Sequence, residues 1–290
     1  MSVPRILTTM TAGLAALACS ALALAAIPGA ANASAHRPSV RHVRVMTFNI
    51  HHGAGADNIL DLEDTARSIE AHHPDAIGLQ EVDRHWDTRS DFLDEAQWLA
   101  DRLHMHAVYG ANLDEDPPAD GQPRRQYGTA ILSRYPILDW SNTHLTKAGH
   151  PESEQRGLLH ARILVRGMPF NFYNTHLQHD SAAIRLAQVA QVKELIGTPR
   201  DPWILTGDLN AEPTAPEIVS LTEHLSDTWA EVGVGDGFTY DATKPHARID
   251  YVLTGAGVTP RHAEVADSGA SDHLPVVADL VLRGRHHGRH

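Results

Sequence analysis

Six short polar runs, each beside an apolar segment, hold the residues of this sequence that could do chemistry. In chain order the runs contain Asn49, Glu81, His176, Asp208-Leu209-Asn210, Asp250 and Asp272-His273. Carboxylate and amide oxygens bind hard divalent cations, and an imidazole titrates near neutral pH, so this set can hold a metal ion and move a proton. One such ending is ordinary, because Asn or Asp often ends a strand. Six such runs, whose polar residues are all Asn, Asp, Glu or His, indicate that these residues share one site.

The apolar segments beside these runs are rich in β-forming residues, and strand ends can present side chains to one cleft on a rigid sheet. The predicted strands cover residues 42–49, 76–79, 129–132, 158–165, 170–175, 203–206, 248–253 and 274–282, and the predicted helices cover 60–73, 92–103 and 182–195. This pattern predicts an α/β fold in which two sheets pack face to face with helices outside. Residues 111–125 are polar and contain Pro117, Pro118 and Gly121, so we expect a long surface loop there, a candidate lid over the substrate.

The first 35 residues have the composition of a secretory signal peptide. Arg5 is their only charge, an apolar run covers residues 10–27, and Ala31-Asn32-Ala33 and Ala33-Ser34-Ala35 both fit the small-residue cleavage pattern. This stretch contains no Arg-Arg pair, so we expect secretion by the general secretory route. A membrane anchor and a lipoprotein signal at Cys19 are the alternatives. We therefore expect a signal peptide over 1–35, a catalytic domain over 36–282 and a basic, His-rich, solvated tail over 283–290.

Charge and cysteine content exclude several classes of protein. The chain has 36 acidic and 24 basic residues, a formal net charge of −12, which argues against binding of polyanions through bulk charge. Cys19 is the only cysteine, so an intramolecular disulfide framework and a thiolate metal site are both excluded. The negative net charge is compatible with an enzyme that binds a phosphate with the help of a metal cation. No stable protein partner is implied, and we expect a monomer without a transmembrane segment after processing.

The motifs resemble those of the endonuclease/exonuclease/phosphatase superfamily, which includes deoxyribonuclease I, apurinic endonucleases, neutral sphingomyelinases and inositol polyphosphate 5-phosphatases. The matching segments are T-F-N-I, L-Q-E-V-D, Y-G-T-A-I-L-S-R-Y-P-I, N-T-H-L, G-D-L-N, R-I-D-Y-V-L and S-D-H-L-P. They occur in the family's order between residues 47 and 275, which is nearly all of the chain after the expected signal peptide. The resemblance implies a four-layer α-β-β-α sandwich, with two mixed sheets face to face, and metal-dependent hydrolysis of a phosphoester.

The resemblance also implies which residues hold the metal ion. Glu81 is the main expected ligand, with Asn49 beside it and Asp272 as a third contributor. Asp208 is expected either to bind a second metal ion or to orient the nucleophilic water. Mg²⁺ is the expected ion, because it prefers carboxylates and keeps several waters, and Mn²⁺ or Ca²⁺ are the alternatives.

The remaining matched residues are expected to act on the proton and the phosphoryl group. His273 is the candidate general base, and Asp250 is its expected orienting partner, which would fix the tautomer and stabilise the imidazolium. Asn210 and His176 are expected to donate hydrogen bonds to the phosphoryl oxygens. His51 stands where apurinic endonucleases usually carry a carboxylate, and two interpretations stay open: contact with metal-bound water, or lining of the cleft.

Together these observations predict a secreted, divalent-metal-dependent phosphoesterase that hydrolyses a phosphodiester by attack of activated water. The substrate could be a small molecule, a lipid headgroup or a nucleic acid. The alternatives are a nuclease acting on DNA or RNA, a sphingomyelinase-like lipid phosphodiesterase, a phosphomonoesterase, and a catalytically silent binding module of the same fold. His176 in place of the tyrosine of apurinic endonucleases disfavours repair of abasic sites, and a histidine-rich metal-binding protein is disfavoured because the histidines are scattered.

If residues 1–35 are a signal peptide, the secreted protein will begin at or near Ser34 or His36. N-terminal sequencing of protein recovered from the culture medium of a secreting host measures this. Retention of residues 1–30 would contradict the prediction and would favour a membrane anchor instead.

Overall fold

Two six-stranded mixed sheets form the centre of the computed structural model, which describes residues 39–284. The first sheet has the spatial order β11 (Val258–Val265), β12 (Val276–Arg283), β1 (Val40–Asn49), β2 (Ala76–Arg84), β4 (Arg125–Ser133) and β3 (His106–Glu115). The second has the order β5 (Ile137–His144), β6 (Gly157–Val165), β7 (Met168–His176), β8 (Trp203–Asp208), β10 (Asp250–Thr254) and β9 (Ser226–Asp227). Strands β1 and β2 pair in parallel, as do β7 and β8, and the other pairs are antiparallel.

Helices cover the outer faces of the two sheets. They are α1 (Leu62–Ala71), α2 (Glu95–Leu103), α3 (Ala182–Ile196) and α4 (Pro216–Thr222), whereas α5 (Thr228–Val232) lies beside β9, β10 and β11 at the edges of the two sheets. Helices α1 and α2 pack through apolar residues such as Ile69 and Leu99 against the first sheet, and α3 and α4 pack against the second. Asp61, Asp94 and Ser181 cap the N-termini of α1, α2 and α3 by accepting a backbone N–H three residues on. The predicted four-layer sandwich is confirmed.

The predicted loop over residues 111–125 is wrong at both ends. Strand β3 continues to Glu115 and β4 begins at Arg125, so only residues 116–124 are a loop. Strands β5 and β11 were also not predicted from the sequence. Like β3, each of them is an edge strand of its sheet. An edge strand is covered on fewer sides, so its side chains are less apolar and its hydrophobic signal is weaker. Leu138 and Trp140 on β5, for example, are exposed.

Two predictions fall outside the part of the chain that the structure describes. The expected signal peptide over 1–35 lies outside it, as do residues 285–290 of the expected tail. Within residues 39–284, none of the helices combines the length and the apolar character needed to cross a bilayer.

A buried polar network joins the two sheets directly below the strand ends. Asn174 of β7 donates from Nδ2 to the carbonyl oxygens of Leu79, at 2.8 Å, and Ala130, at 3.1 Å. Its Oδ1 accepts from Gln80 Nε2 at 2.7 Å and from Thr206 at 3.2 Å. Because these groups are fully buried, their hydrogen bonds set the spacing and register of one sheet against the other.

Gly78 permits this close approach, and replacing it tests how tightly the sheets are held. A Cβ at Gly78 would lie 2.5 Å from Thr206 Oγ1 and 2.6 Å from Asn174 Oδ1. We expect Gly78→Ala to lower the free energy of unfolding by about 1–3 kcal/mol through overpacking, measured by urea denaturation. Gly269→Ala is the matched control, because a Cβ there meets nothing within 4 Å. Equal stability of the two variants would contradict the tight spacing.

Candidate active site

A cleft of about 510 Å³ opens where the strand ends of both sheets meet. Six of the eight predicted site residues line it: Glu81, His176, Asp208, Asn210, Asp272 and His273. The other two, Asn49 and Asp250, are buried directly behind it and hydrogen-bond to lining residues. The structure therefore brings all eight residues together. Their individual catalytic and metal-binding roles stay predictions.

A β-bulge directs Glu81 into the cleft. The pairing of β2 with β4 shifts register between Leu79 and Val82, and Glu81 adopts a positive φ of 56°. Bulges re-aim side chains and are common beside active sites. The Glu81 carboxylate is partly exposed, and its Oε1 accepts a hydrogen bond from Asn49 Nδ2 at 3.0 Å. A regular strand would point this residue differently, so the bulge is part of the site.

Asn49 holds two carboxylates in place. Its Nδ2 donates to Glu81 Oε1 and to Asp208 Oδ2, both at 3.0 Å, while its Oδ1 accepts the backbone N–H of His51 at 3.1 Å. A backbone N–H can only donate, so this contact fixes the amide with its nitrogen toward the carboxylates. In this arrangement Asn49 positions Glu81 and Asp208, and the predicted role of Asn49 as a metal ligand stays a prediction.

Asp250, His273 and Asp208 form a buried row at the base of the cleft. Asp250 Oδ2 lies 2.9 Å from His273 Nδ1, and His273 Nε2 lies 3.8 Å from Asp208 Oδ2. All three side chains are almost fully buried. The backbone N–H of His273 donates to Ser271 Oγ, which in turn donates to the carbonyl oxygen of Asn49. The S-D-H run is thereby attached to the end of β1, which places the ring between the two carboxylates.

The charges of this row shift its titration. Burial lowers the pKa of His273, but the charge and hydrogen bond of Asp250 outweigh burial and raise it well above the ordinary histidine value. Burial raises the pKa of Asp208, and the charge of Asp250 raises it further. The two raised pKa values favour a protonated His273 ring at neutral pH. This imidazolium lies between the carboxyl groups of Asp250 and Asp208.

His176 is held in the neutral form. Burial lowers its pKa well below the ordinary value, and the nearby charges of Arg156 and His273 lower it further. Asn210 donates from Nδ2 to His176 Nε2 at 2.9 Å and to the Leu177 carbonyl oxygen at 3.1 Å. Both N–H bonds of the Asn210 amide are therefore engaged, and in this arrangement Asn210 orients His176. Their predicted donation to phosphoryl oxygens stays a prediction.

The site also has the donor set of a hard cation. Glu81, Asp208 and Asp272 bring carboxylate oxygens to the cleft wall. Among the described residues, Asp208, Asp250 and His273 bring ligand atoms within 4.8 Å of one another. Of that group, however, Asp250 and His273 already hydrogen-bond to each other, which leaves the carboxylates that face the cleft as the groups available to a cation. Oxygen ligands without a thiolate fit Mg²⁺ or Mn²⁺.

Other cleft residues were not identified from the sequence. Arg156 is 3% exposed, lies 2.9 Å from Glu154 through Nη1 and donates from Nη2 to His179 Nδ1 at 3.3 Å. An arginine directly before a strand is common, so no signal in the sequence distinguished Arg156 from a surface residue. Trp86 and Tyr240 also line the cleft, and their loops carry no sequence pattern that indicates a site.

The comparisons with known proteins agree with this geometry. Residues 46–273 match the Endonuclease/Exonuclease/phosphatase family. The chain is 27% identical over 261 residues to the uncharacterized protein YbhP of Escherichia coli (strain K12), covering 82% of this chain and 96% of YbhP. The crystal structure of an endonuclease/exonuclease/phosphatase from Beutenbergia cavernae DSM 12333 is 30% identical with a TM-score of 0.71, covering 84% of this chain and 72% of that one. A family protein from Bacteroides thetaiotaomicron is 19% identical with a TM-score of 0.70, covering 88% of this chain and 100% of that one, and shows the common fold.

The match extends from β1 to His273 and includes every strand end that contributes to the cleft, so the chain belongs to the endonuclease/exonuclease/phosphatase family.

Proposed function

We propose that this protein is a secreted, divalent-metal-dependent phosphoesterase, with a phosphodiester as the form of substrate that its sequence favours. Members of its family are hydrolases that act on phosphoesters. The observation that carries the proposal is the buried row of Asp250, His273 and Asp208 at the base of a cleft that Glu81 also lines. Secretion is proposed from the composition of the first 35 residues alone.

Glu81 would hold the metal ion together with Asp272, and Asp208 would either bind a second ion or act on the attacking water. When bound, a divalent cation offsets the negative charge that develops on the phosphoryl oxygens and on the leaving oxygen. Asn49 would keep Glu81 and Asp208 at a fixed separation through its two hydrogen bonds.

Two assignments of the general base follow from the row. The sequence predicted His273 as the base, but the raised pKa of His273 favours an imidazolium that donates from Nε2 to a phosphoryl oxygen. In that case Asp208 takes the proton from the attacking water, for which a carboxylate with a raised pKa is suited. Asp250 stabilises the imidazolium in either assignment.

Arg156 supports the binding of one phosphoryl group. Its guanidinium is buried at the cleft beside His176, and its Nε has no hydrogen-bond partner among residues 39–284. An unpaired buried N–H is costly, and an anionic oxygen would satisfy it. His176 stays neutral beside it, so it adds no charge there; Arg156 is paired with Glu154 through Nη1 at 2.9 Å, and its Nε is the group left for the anion.

Removal of divalent cations should abolish hydrolysis, and Mg²⁺ or Mn²⁺ should restore it. At saturating Mg²⁺ we expect Glu81→Gln to lower kcat/KM for bis(p-nitrophenyl) phosphate by about 10²-fold or more, because a charged oxygen ligand is lost at nearly constant volume. Glu231→Gln, an exposed residue outside the cleft, is the matched control and should retain activity. Undiminished turnover after exhaustive chelation would refute the metal dependence.

Three variants test whether Asp250 and His273 act as a pair: Asp250→Asn, His273→Ala and the double variant. Each single change should lower kcat by about 10²-fold or more, and the double variant should be little worse than the worse single one, because the two residues act as a unit. Asp279→Asn, which removes a partly exposed carboxylate paired with Arg44, is the control. Losses that multiply independently would show that Asp250 and His273 are not coupled.

The pH profile of Asp250→Asn separates the two assignments of the base. Loss of the Asp250 charge lowers the pKa of His273, which that charge had raised. If activity needs the imidazolium, it is lost as pH rises through this pKa, so the alkaline limb of log kcat should move to lower pH. If neutral His273 is the base, the acidic limb should move to lower pH instead. We expect the first result, and the second would return the base to His273.

A further inference from the structure

Two aromatic rings, one arginine and one leucine form part of the wall of the cleft that Glu81 also lines. We call this part the Trp86 wall, and its members are Trp86, Arg89, Leu113 and Tyr127, all of which line the cleft. The rings of Trp86 and Tyr127 lie 6.0 Å apart between centroids. The Arg89 guanidinium lies 5.8 Å from the Trp86 ring and 5.5 Å from the Tyr127 ring. Contacts of this kind hold the two rings in a fixed arrangement.

The arginines around this wall are already neutralised by carboxylates. Arg89 makes a bidentate pair with the fully buried Asp83, at 2.8 and 2.7 Å. Arg125, which lies 6.0 Å from the Trp86 ring, pairs with Glu115 at 2.6 Å. Arg89 therefore serves to hold the rings, and neither arginine offers an uncompensated charge to a second phosphate.

The wall also offers groups that can bind hydroxyls. Tyr127 carries a hydroxyl and Trp86 an indole N–H, and Glu154 and His179 line the same cleft. An aromatic face beside donors and acceptors of hydrogen bonds suits a ligand with an apolar C–H face and a rim of hydroxyls.

We propose that the Trp86 wall binds the alcohol part of the substrate, and that this alcohol is a small neutral sugar or polyol. The inference rests on the proposed phosphoesterase function and names its substrate class. The C–H face of the sugar packs against the Trp86 ring, its hydroxyls meet Tyr127, Glu154 and His179, and its single phosphate lies toward Arg156 and Glu81. A cleft of about 510 Å³ is in the range of small-molecule sites.

Charge favours this class over nucleic acid. Glu81, Glu154 and Asp272 bring carboxylates to the cleft, and the arginines near Trp86 are paired. A polynucleotide would bring further phosphates to this acidic surface without counter-charges to receive them. A nucleobase can also stack on an indole ring, so a mononucleotide is the competing ligand that the experiment must include.

The experiment measures kcat and KM of the full secreted protein with Mg²⁺. The substrates are glucose 6-phosphate, glycerophosphoglycerol, AMP, a single-stranded DNA oligonucleotide, and the chromogenic esters p-nitrophenyl phosphate and bis(p-nitrophenyl) phosphate. We expect kcat/KM for the better of the two sugar and polyol esters to exceed that for AMP and DNA by about tenfold or more. Trp86→Ala should raise KM for that ester by about tenfold with little change in kcat, and Trp86→Phe should restore most of the loss.

Trp140→Ala is the matched control, because Trp140 is an exposed tryptophan on β5 outside this cleft, and it should leave both constants unchanged. Hydrolysis of the chromogenic esters without a preference for sugar or polyol esters would overturn this inference and leave the proposed function intact. A preference for AMP or DNA that Trp86→Ala removes would also overturn it. A fall in kcat on every substrate with a lowered Tm would assign Trp86 a structural role and overturn it too. No hydrolysis of any ester would refute the proposed function itself.

Discussion

Two buried carboxylates that face each other across paired strands impose the central constraint on this active site. Asp208 of β8 and Asp250 of β10 are directly opposite in the antiparallel register, and both are almost fully buried. Like charges at opposite positions destabilise a sheet, and a buried charge is costly unless it is paired. His273 relieves both costs, because its ring lies between the two acids and its charged form is favoured there. The positive charge that catalysis would use is thus also the charge that makes this pair of strands tolerable.

The constraint reaches both sheets, because His273 and Asp208 are each held by Asn49 at the end of β1. Ser271 connects the His273 backbone to the Asn49 carbonyl oxygen, and the Asn49 amide donates to Asp208. The two sheets must therefore pack at one spacing for the row to form. The buried contacts of Asn174 with Gln80 and with the Leu79 carbonyl oxygen, just below the strand ends, set that spacing. The packing of the two sheets therefore determines the geometry of the site.

The sequence predicted the sandwich and the meeting of all eight polar residues, because each ends or adjoins a strongly apolar strand and strand ends converge at a sheet edge. It could not predict which way Asn49 faces, since the orientation depends on the N–H of His51 donating to its oxygen. The bulge at Glu81 is a pairing feature that no local pattern displays. Arg156 and Trp86 stayed hidden for the opposite reason: an arginine before a strand and a tryptophan in a loop are common, and only burial beside the cleft distinguishes them.

The charge balance of the cleft links the cation to the substrate. Carboxylates of Glu81, Glu154, Asp208, Asp250 and Asp272 lie in or directly behind it, whereas His273 and Arg156 are the cationic groups we assign to the phosphate. An anionic ester entering such a surface meets net repulsion unless a divalent cation offsets part of the charge. One phosphate and one cation then balance each other, while every additional phosphate would meet carboxylates. Under the proposed function, the same balance would make hydrolysis depend on a cation and would favour substrates with a single charged group.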